Sequence, residues 1–285
     1  LGSATGDNLT CCRADQKPEW TRIMDYQTLT FDVADNIATI TLNRPDAANA
    51  LNAPMADELL DVSIACSTRN DVRAVIITGS GKLFCGGGDL NEFKSVGDQK
   101  EAHLLKMATI LHAAVIRFAN LDAPVIMAVN GTAGGGGFSI VLSGDYVLAS
   151  HKAKFVSAYT ASGLSPDGSS TYFLAKHVGM LRAKELMLTN RVLTADEACD
   201  WGIVNRVVEP DELMVEAMKL AKTFADGPTK AYGSTKRLLQ TAYSDPMESQ
   251  LEKETQGIAG MMTTHDGPHG LEAFLNKQKP VFRGE

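Results

Sequence analysis

Two glycine runs, Gly86-Gly87-Gly88-Asp89 and Gly134-Gly135-Gly136-Gly137, each follow an apolar, β-branched stretch: Ala74-Val75-Ile76-Ile77-Thr78 and Pro124-Val125-Ile126-Met127-Ala128-Val129. A strand that ends in glycines and then enters a helix exposes backbone N–H groups without intrahelical partners, at the positive end of the helix dipole. Two such ends facing one point would bind an oxyanion. Glycine is needed there because only a residue without Cβ lets a ligand oxygen approach the main chain closely and tolerates positive φ. Either run alone could serve only a tight turn; two of them, each after a strand, point to a site.

Two other readings of the glycines fail on spacing. Gly79-Ser80-Gly81-Lys82 lacks the G-x-x-x-x-G-K-[S/T] pattern of a phosphate loop, which argues against ATP or GTP. Gly137-Phe138-Ser139-Ile140-Val141 begins like a nucleophile elbow but has valine where the second glycine belongs, so Ser139 reads as a lining residue. The cysteines, Cys11, Cys12, Cys66, Cys85 and Cys199, are an odd set without C-x-x-C spacing, as expected of free thiols in a reducing, cytoplasmic compartment. They offer no zinc site. Cys85 beside the first glycine run reads as a packed small residue.

The elements that must position these turns are strands alternating with helices from Leu29 to about Val208. Leu29–Val33 and Ile37–Leu42, separated by Asp35-Asn36, predict a hairpin, and Ala53–Thr68 a helix. Strands follow at Arg73–Thr78, Pro124–Val129, Tyr146–Ala149 and Lys154–Val156, with helices between, as in a layered α/β sheet whose ligands bind beyond the carboxyl ends of the strands. From Asp211 the pattern is wholly helical, over Glu212–Ala225, Thr229–Tyr243, Pro246–Thr264 and Gly270–Lys277. A terminal helical block without its own core predicts a subunit interface, or else a lid on the sheet.

The 285 residues carry 27 Lys+Arg against 34 Asp+Glu, a net charge of −7, with 44% hydrophobic residues. That suffices for a sizeable core. Without a basic stripe, nucleic acid is not an expected partner. No membrane is expected either, because no apolar run reaches the roughly 20 residues of a spanning helix, and residues 1–20 lack the apolar block of a presequence.

Asn43-Arg44-Pro45, Ala50-Leu51-Asn52, Phe84-Cys85-Gly86-Gly87-Gly88-Asp89-Leu90, Pro124 to Gly137 and Gly163-Leu164-Ser165-Pro166-Asp167-Gly168, in this order and spacing, resemble the enoyl-CoA hydratase/isomerase (crotonase) family. The match runs from about Tyr26 to Arg283 and includes the tail Phe274 to Phe282. It implies a ββα-repeat spiral α/β core over 26–208, a C-terminal helical trimerisation region over 209–285, an N-terminal extension over 1–25, and a homotrimer or dimer of trimers acting on acyl-CoA thioesters, as in fatty-acid metabolism. The resemblance assigns the oxyanion hole to the N–H groups of Gly88 and Gly136, which would hold the thioester oxygen as it gains enolate charge. Relatives usually carry alanine or a larger residue where Gly88 stands, which implies a slightly roomier pocket here. The coenzyme A moiety is expected against Ala48, Ala50, Leu51, Gly86, Asp89 and Leu90, mostly through main chain, with Lys277 reaching a phosphate in a neighbouring subunit.

The acid/base residues depart from the hydratase pattern. Where hydratases carry two glutamates this chain has Ser139 and Tyr159, poor substitutes for positioning water and delivering a proton. Asp167 aligns with the single acid of the Δ3,Δ2-enoyl-CoA and ring-enoyl isomerases, where one base moves a proton from C2 to C4 and no metal, nucleotide or redox cofactor is needed. The alternative for Asp167 is a helix cap. Three other functions stand beside the isomerase: a dehalogenase like those acting on 4-chlorobenzoyl-CoA, or another acyl-CoA hydrolase, with Asp167 as nucleophile and His112 as base; an enoyl-CoA hydratase; and a non-catalytic scaffold. Phe138, with Ser139, Tyr159 and His112, is expected to line the acyl pocket.

Overall fold

The computed structural model describes residues 25–285. The expected extension over residues 1–25 therefore lies almost entirely outside the described residues, as do Cys11 and Cys12. The strands are β1 (Leu29–Ala34), β2 (Ile37–Leu42), β3 (Ala74–Gly79), β4 (Val125–Val129), β5 (Ala133–Gly134), β6 (Tyr146–Ser150), β7 (Lys154–Val156), β8 (Leu193–Thr194) and β9 (Arg206–Val208). A six-stranded sheet runs β1-β2-β3-β4-β6-β9, parallel except for β1 against β2, and a small sheet runs β5-β7-β8. Asp35 and Asn36, both at positive φ, close the predicted hairpin with the side-chain types that tolerate that region. The strands β5, β8 and β9, of two or three residues each, escaped the sequence reading, being too short to show a period.

The two faces of the large sheet follow the period of two along each strand. On one face Ala38, Ile40, Leu42, Val75, Ile77, Val125, Met127 and Val129 join the main core, which is covered by α1 (Ala53–Thr68) and α3 (Lys100–Asn120) packed on each other. On the other face Ile37, Ala74, Ile76, Ile126, Ala128 and Leu148 meet Leu213, Ala217, Ala221 and Ala225 of α7 (Leu213–Ala225). This corrects the boundary expected at residue 209. The helix α7 is a layer of the α/β core, because its small apolar stripe lets it lie close on the sheet. The remaining helices are α2 (Leu90–Ser95), α4 (Gly136–Leu142), α5 (Ser170–Thr189), α6 (Ala195–Asp200), α8 (Thr229–Thr241), α9 (Met247–Met261) and α10 (Asp266–Leu275). The last begins four residues earlier than the sequence suggested.

One membrane-related expectation needs correction. By length and composition alone, the helix running from Gly97 to Asn120, which contains α3, is apolar enough to cross a bilayer. Its apolar stripe, Met107, Leu111, Ala114, Val115 and Phe118, is instead buried in the core.

The helix α8 is held to the core electrostatically. Lys236 Nζ lies 2.6 Å from Asp145 Oδ2 and also donates to the carbonyls of Phe118 and Ala123, while Arg237 and Lys230 both reach Asp122. The Lys236 side chain keeps only 10% of its exposure and that of Asp145 25%. Removing one partner of such a pair strands the other charge. Lys236→Ala is expected to cost about 3 kcal/mol, read as a lowered midpoint of urea unfolding; an unchanged midpoint would refute the latch.

Candidate active site

The first glycine run follows β3 and the second follows β4, neighbouring parallel strands, so both turns leave the same edge of the sheet. What brings them into contact is a single parallel bridge between Cys85 and Ala133, closed by the Gly134 N–H donating to the Cys85 carbonyl at 2.9 Å. Two glycines face each other across this seam: a Cβ on Gly135 would stand 3.6 Å from the Gly87 Cα. Both hold positive φ, +102° at Gly87 and +50° at Gly135. Each directly precedes one of the expected oxyanion donors. Among the described residues, neither the Gly88 nor the Gly136 N–H donates to a protein acceptor, and both residues line the same cavity of about 270 Å³. Gly136 is in addition the first residue of α4, with its N–H at the helix's positive end.

Cys85 sits directly beneath. It is fully buried, and burial pushes its thiol up to about 12, which fits a packing residue better than a nucleophile. A Cβ on Gly137 would meet the Cys85 carbonyl at 2.5 Å, so the second glycine run is required by this contact as much as by the ligand.

The loop after β7 and the segment entering α5 bring the polar groups. Tyr159 Oη donates to Asp167 Oδ1 at 2.6 Å, and Ser139 Oγ lies 2.8 Å from Tyr159 Oη. Burial first, and then the adjacent Asp167 carboxylate, raises the Tyr159 hydroxyl well above its ordinary value, so it stays protonated. Asp167 is not a helix cap. The residue at the cap of α5 is Ser169, and the Ser170 N–H is taken by the Asp167 backbone carbonyl, which leaves the carboxylate to the cavity. Gly168 (φ +59°) and Ser169 (φ +77°) turn the chain sharply just behind it.

His112 on α3 stands close but faces away from a base role. Its Nε2 accepts the Gly168 N–H at 3.0 Å, and it lies 3.8 Å from Asp167 Oδ2, too far for a hydrogen bond. His112 does not line the cavity. Phe138 is likewise corrected: it is 2% exposed and packs on Phe155 at 5.8 Å between ring centroids, because α4 is buried on every side. Ser139, fully buried, does not line the cavity and reaches it through Tyr159 and the Gly135 carbonyl. Of the four expected lining residues, Tyr159 alone does so directly.

The acyl wall escaped sequence reading. Leu104, Met107, Ala108 and Leu111 of α3, with Phe93 and Leu164, line the cavity; their i, i+3, i+4, i+7 spacing signals one helical face but not whether core or ligand covers it. The expected extra room at Gly88 is absent, because a Cβ there would lie 2.9 Å from the Phe93 ring, which occupies the space instead. Gly88→Ala is accordingly expected to destabilise the fold by about 1–3 kcal/mol, and Phe93→Leu in the same chain to recover most of it, both read by thermal unfolding. Equal loss in the single and double variants would show that the two residues do not share this space.

Among the residues expected to meet coenzyme A, Leu51, Gly86 and Leu90 line the cavity. Ala48 and Ala50 stand behind it, their carbonyls accepting from the Gly86 N–H and the Arg44 guanidinium. The Asp89 carboxylate is committed to Arg44 at 2.8 Å and to the first amides of α2, so it is a structural residue and cannot donate to a phosphate. Lys277 lies just beyond α10, which packs on α9, and does not line the cavity.

The whole arrangement is shared with known proteins. The family model for enoyl-CoA hydratase/isomerase matches residues 32–285. The chain is 36% identical over 257 residues to the 1,2-epoxyphenylacetyl-CoA isomerase of Escherichia coli, covering 89% of this chain and 97% of that protein. It is 34% identical over 261 residues to a probable enoyl-CoA hydratase of Rhodobacter capsulatus, covering 92% and 100%. The 4-chlorobenzoyl coenzyme A dehalogenase-2 of an Arthrobacter species is 33% identical over 251 residues, covering 88% and 91%. The crystal structure of a putative enoyl-CoA hydratase from Streptomyces coelicolor superposes with a TM-score of 0.86 at 31% identity, covering 98% of this chain and 100% of that one. The fold is therefore the crotonase fold, and the chain is a member of the enoyl-CoA hydratase/isomerase family of acyl-CoA enzymes.

Proposed function

We propose that this enzyme is a Δ3,Δ2-enoyl-CoA isomerase, acting on a linear or ring enoyl thioester, with Asp167 as its general base. The observation that carries the reading is that Asp167 is, among the described residues, the only carboxylate lining the cavity, together with the Gly88 and Gly136 amides. The amides stabilise the enolate oxygen once the proton leaves C2. A single base at that point is enough for isomerisation and leaves no second acid for hydration, since Ser139 and Tyr159 stand where hydratases carry glutamates. The chemistry requires no metal, nucleotide or redox group. The apolar wall suits an uncharged acyl tail. The test is conversion of trans-3-hexenoyl-CoA to its conjugated 2-enoyl isomer, followed by absorbance. Hydration of crotonyl-CoA at a comparable rate would overturn the choice of isomerase over hydratase, and a chain inert towards every acyl-CoA would be a scaffold.

The dehalogenase reading needs His112 to take a proton from water, and its Nε2 is already occupied by the Gly168 N–H. Chloride release from 4-chlorobenzoyl-CoA would restore it.

The same reading includes a trimer. Leu239, Tyr243, Met247, Ile258, Phe274 and Leu275 on or beside α8–α10 are each at least 65% exposed, large apolar side chains that a partner subunit would cover. Sedimentation equilibrium is expected to give three or six chains per particle; a monomer would refute it.

A further inference from the structure

We infer that Tyr159, itself held by Ser139, is a positioning residue that pins one oxygen of Asp167 so that the other carries the migrating proton. This rests on the isomerase reading and extends it to two residues to which that reading gives no role. Tyr159 Oη donates to Oδ1 at 2.6 Å, while Oδ2 has no hydrogen-bond partner among the described residues, His112 Nε2 standing 3.8 Å away and already accepting the Gly168 N–H. The two oxygens of one carboxylate are thus chemically distinct. Because Tyr159 gives its proton to Asp167, Ser139 is the donor in the 2.8 Å contact, its hydroxyl shared with the more distant Gly135 carbonyl at 3.2 Å, and the hydroxyls point in one direction: Ser139 to Tyr159 to Asp167. Ser139 is completely buried, so no water competes for that bond. Gly168, whose Cβ would strike Ser139 Cβ at 2.9 Å, lets the Asp167 loop come this near.

The proton balance follows. The C2–H bond breaks and its electron pair enters the thioester dienolate, while an O–H bond forms on Oδ2. The dienolate then takes the same proton at C4, the O–H bond breaks, and the carboxylate is restored. With Oδ1 held by Tyr159, rotation of the carboxyl group is restrained, which favours return of the proton to the substrate it came from.

The experiment uses 3-hexenoyl-CoA carrying two deuterons at C2, in ordinary water, and reads kcat, KM and deuterium at C4 of the product by mass spectrometry. The wild-type protein is expected to deliver most of the deuterium to C4. Tyr159→Phe, which keeps the ring's shape, is expected to lower kcat about 10-fold, a fraction of a general-base contribution, leave KM nearly unchanged and at least halve the deuterium retained. Ser139→Ala should move both quantities in the same direction by about 2–5-fold, as a remote member of a hydrogen-bonded chain does. A separate measurement without turnover is a downfield hydroxyl proton resonance, present in the wild-type protein, missing in Tyr159→Phe and moved upfield in Asp167→Asn, whose neutral amide oxygen is a weaker acceptor than a carboxylate. Wild-type kcat and retention in Tyr159→Phe, with Asp167→Asn inactive, would overturn the positioning role and leave the base in place. A wild-type protein that shows the resonance but no isomerisation would overturn the isomerase reading and, with it, this role.

Discussion

Asp167→Asn is expected to lower turnover of a 3-enoyl thioester by at least about 100-fold, the smaller end of what a positioned general base contributes. The substitution is nearly isosteric, and its remaining carbonyl oxygen still accepts the bond that Tyr159 Oη makes to Oδ1 at 2.6 Å. Nor does it disturb α5, whose start is held by the Asp167 backbone carbonyl and not by the carboxylate. Folding and thioester binding should therefore survive, with KM close to wild type, and the whole loss should fall on kcat. An amide nitrogen has no lone pair basic enough to take the C2 proton. A variant within about 5-fold of wild type, well short of a general base's share, would remove Asp167 from the chemistry.

The second large effect concerns a residue that never touches substrate through a side chain. Gly87→Ala places a Cβ 3.0 Å from the Gly134 carbonyl at a φ of +102°, which L side chains rarely adopt. Both problems are relieved by rotating the peptide that carries the Gly88 N–H. A single misdirected oxyanion donor costs about 10²–10³ in kcat, roughly 3–4 kcal/mol, so the variant is expected to lose about 100-fold even where it folds. Because the Gly87 carbonyl also accepts the Leu51 N–H at 2.7 Å, part of the damage should appear in unfolding temperature. Activity kept within a few-fold of wild type would show that the Gly88 amide does not hold the thioester oxygen.

Certain features were legible in the sequence because their causes are local. The hairpin at Asp35-Asn36 follows from a turn that demands positive φ at both positions. The strands β2, β3, β4 and β6 announce themselves as β-branched runs, and the two glycine runs mark where backbone must approach closely. Gly168 after Asp167 likewise advertises a sharp turn before a helix.

Other features depend on which residues meet across long separations, and one sequence does not state them. The apolar face of α3 reads identically whether it covers core or ligand, and here it does both, with Phe118 in the core and Leu104 on the cavity. Phe138 looks like a lining residue next to the glycines, but α4 is driven into the interior, where its ring packs on Phe155. The room that Gly88 seemed to offer is filled by Phe93, five residues on, once α2 folds back over it. The unbroken helical pattern after Asp211 suggested a separate block, whereas the small residues of α7 close on the sheet.

What the sequence by itself determined is the chemistry on offer: two glycine turns that expose amides, one carboxylate at a turn, and family membership carried by the order of short motifs. What only the tertiary structure decided is how those groups are aimed. The Cys85–Ala133 bridge seats one turn against the other, Tyr159 takes one oxygen of Asp167, and the Gly168 amide occupies His112. Backbone preference acts over a few neighbouring residues, whereas the direction of a hydrogen bond is set by packing among segments 8 to 56 residues apart, where a shift of an ångström separates a base from a bystander.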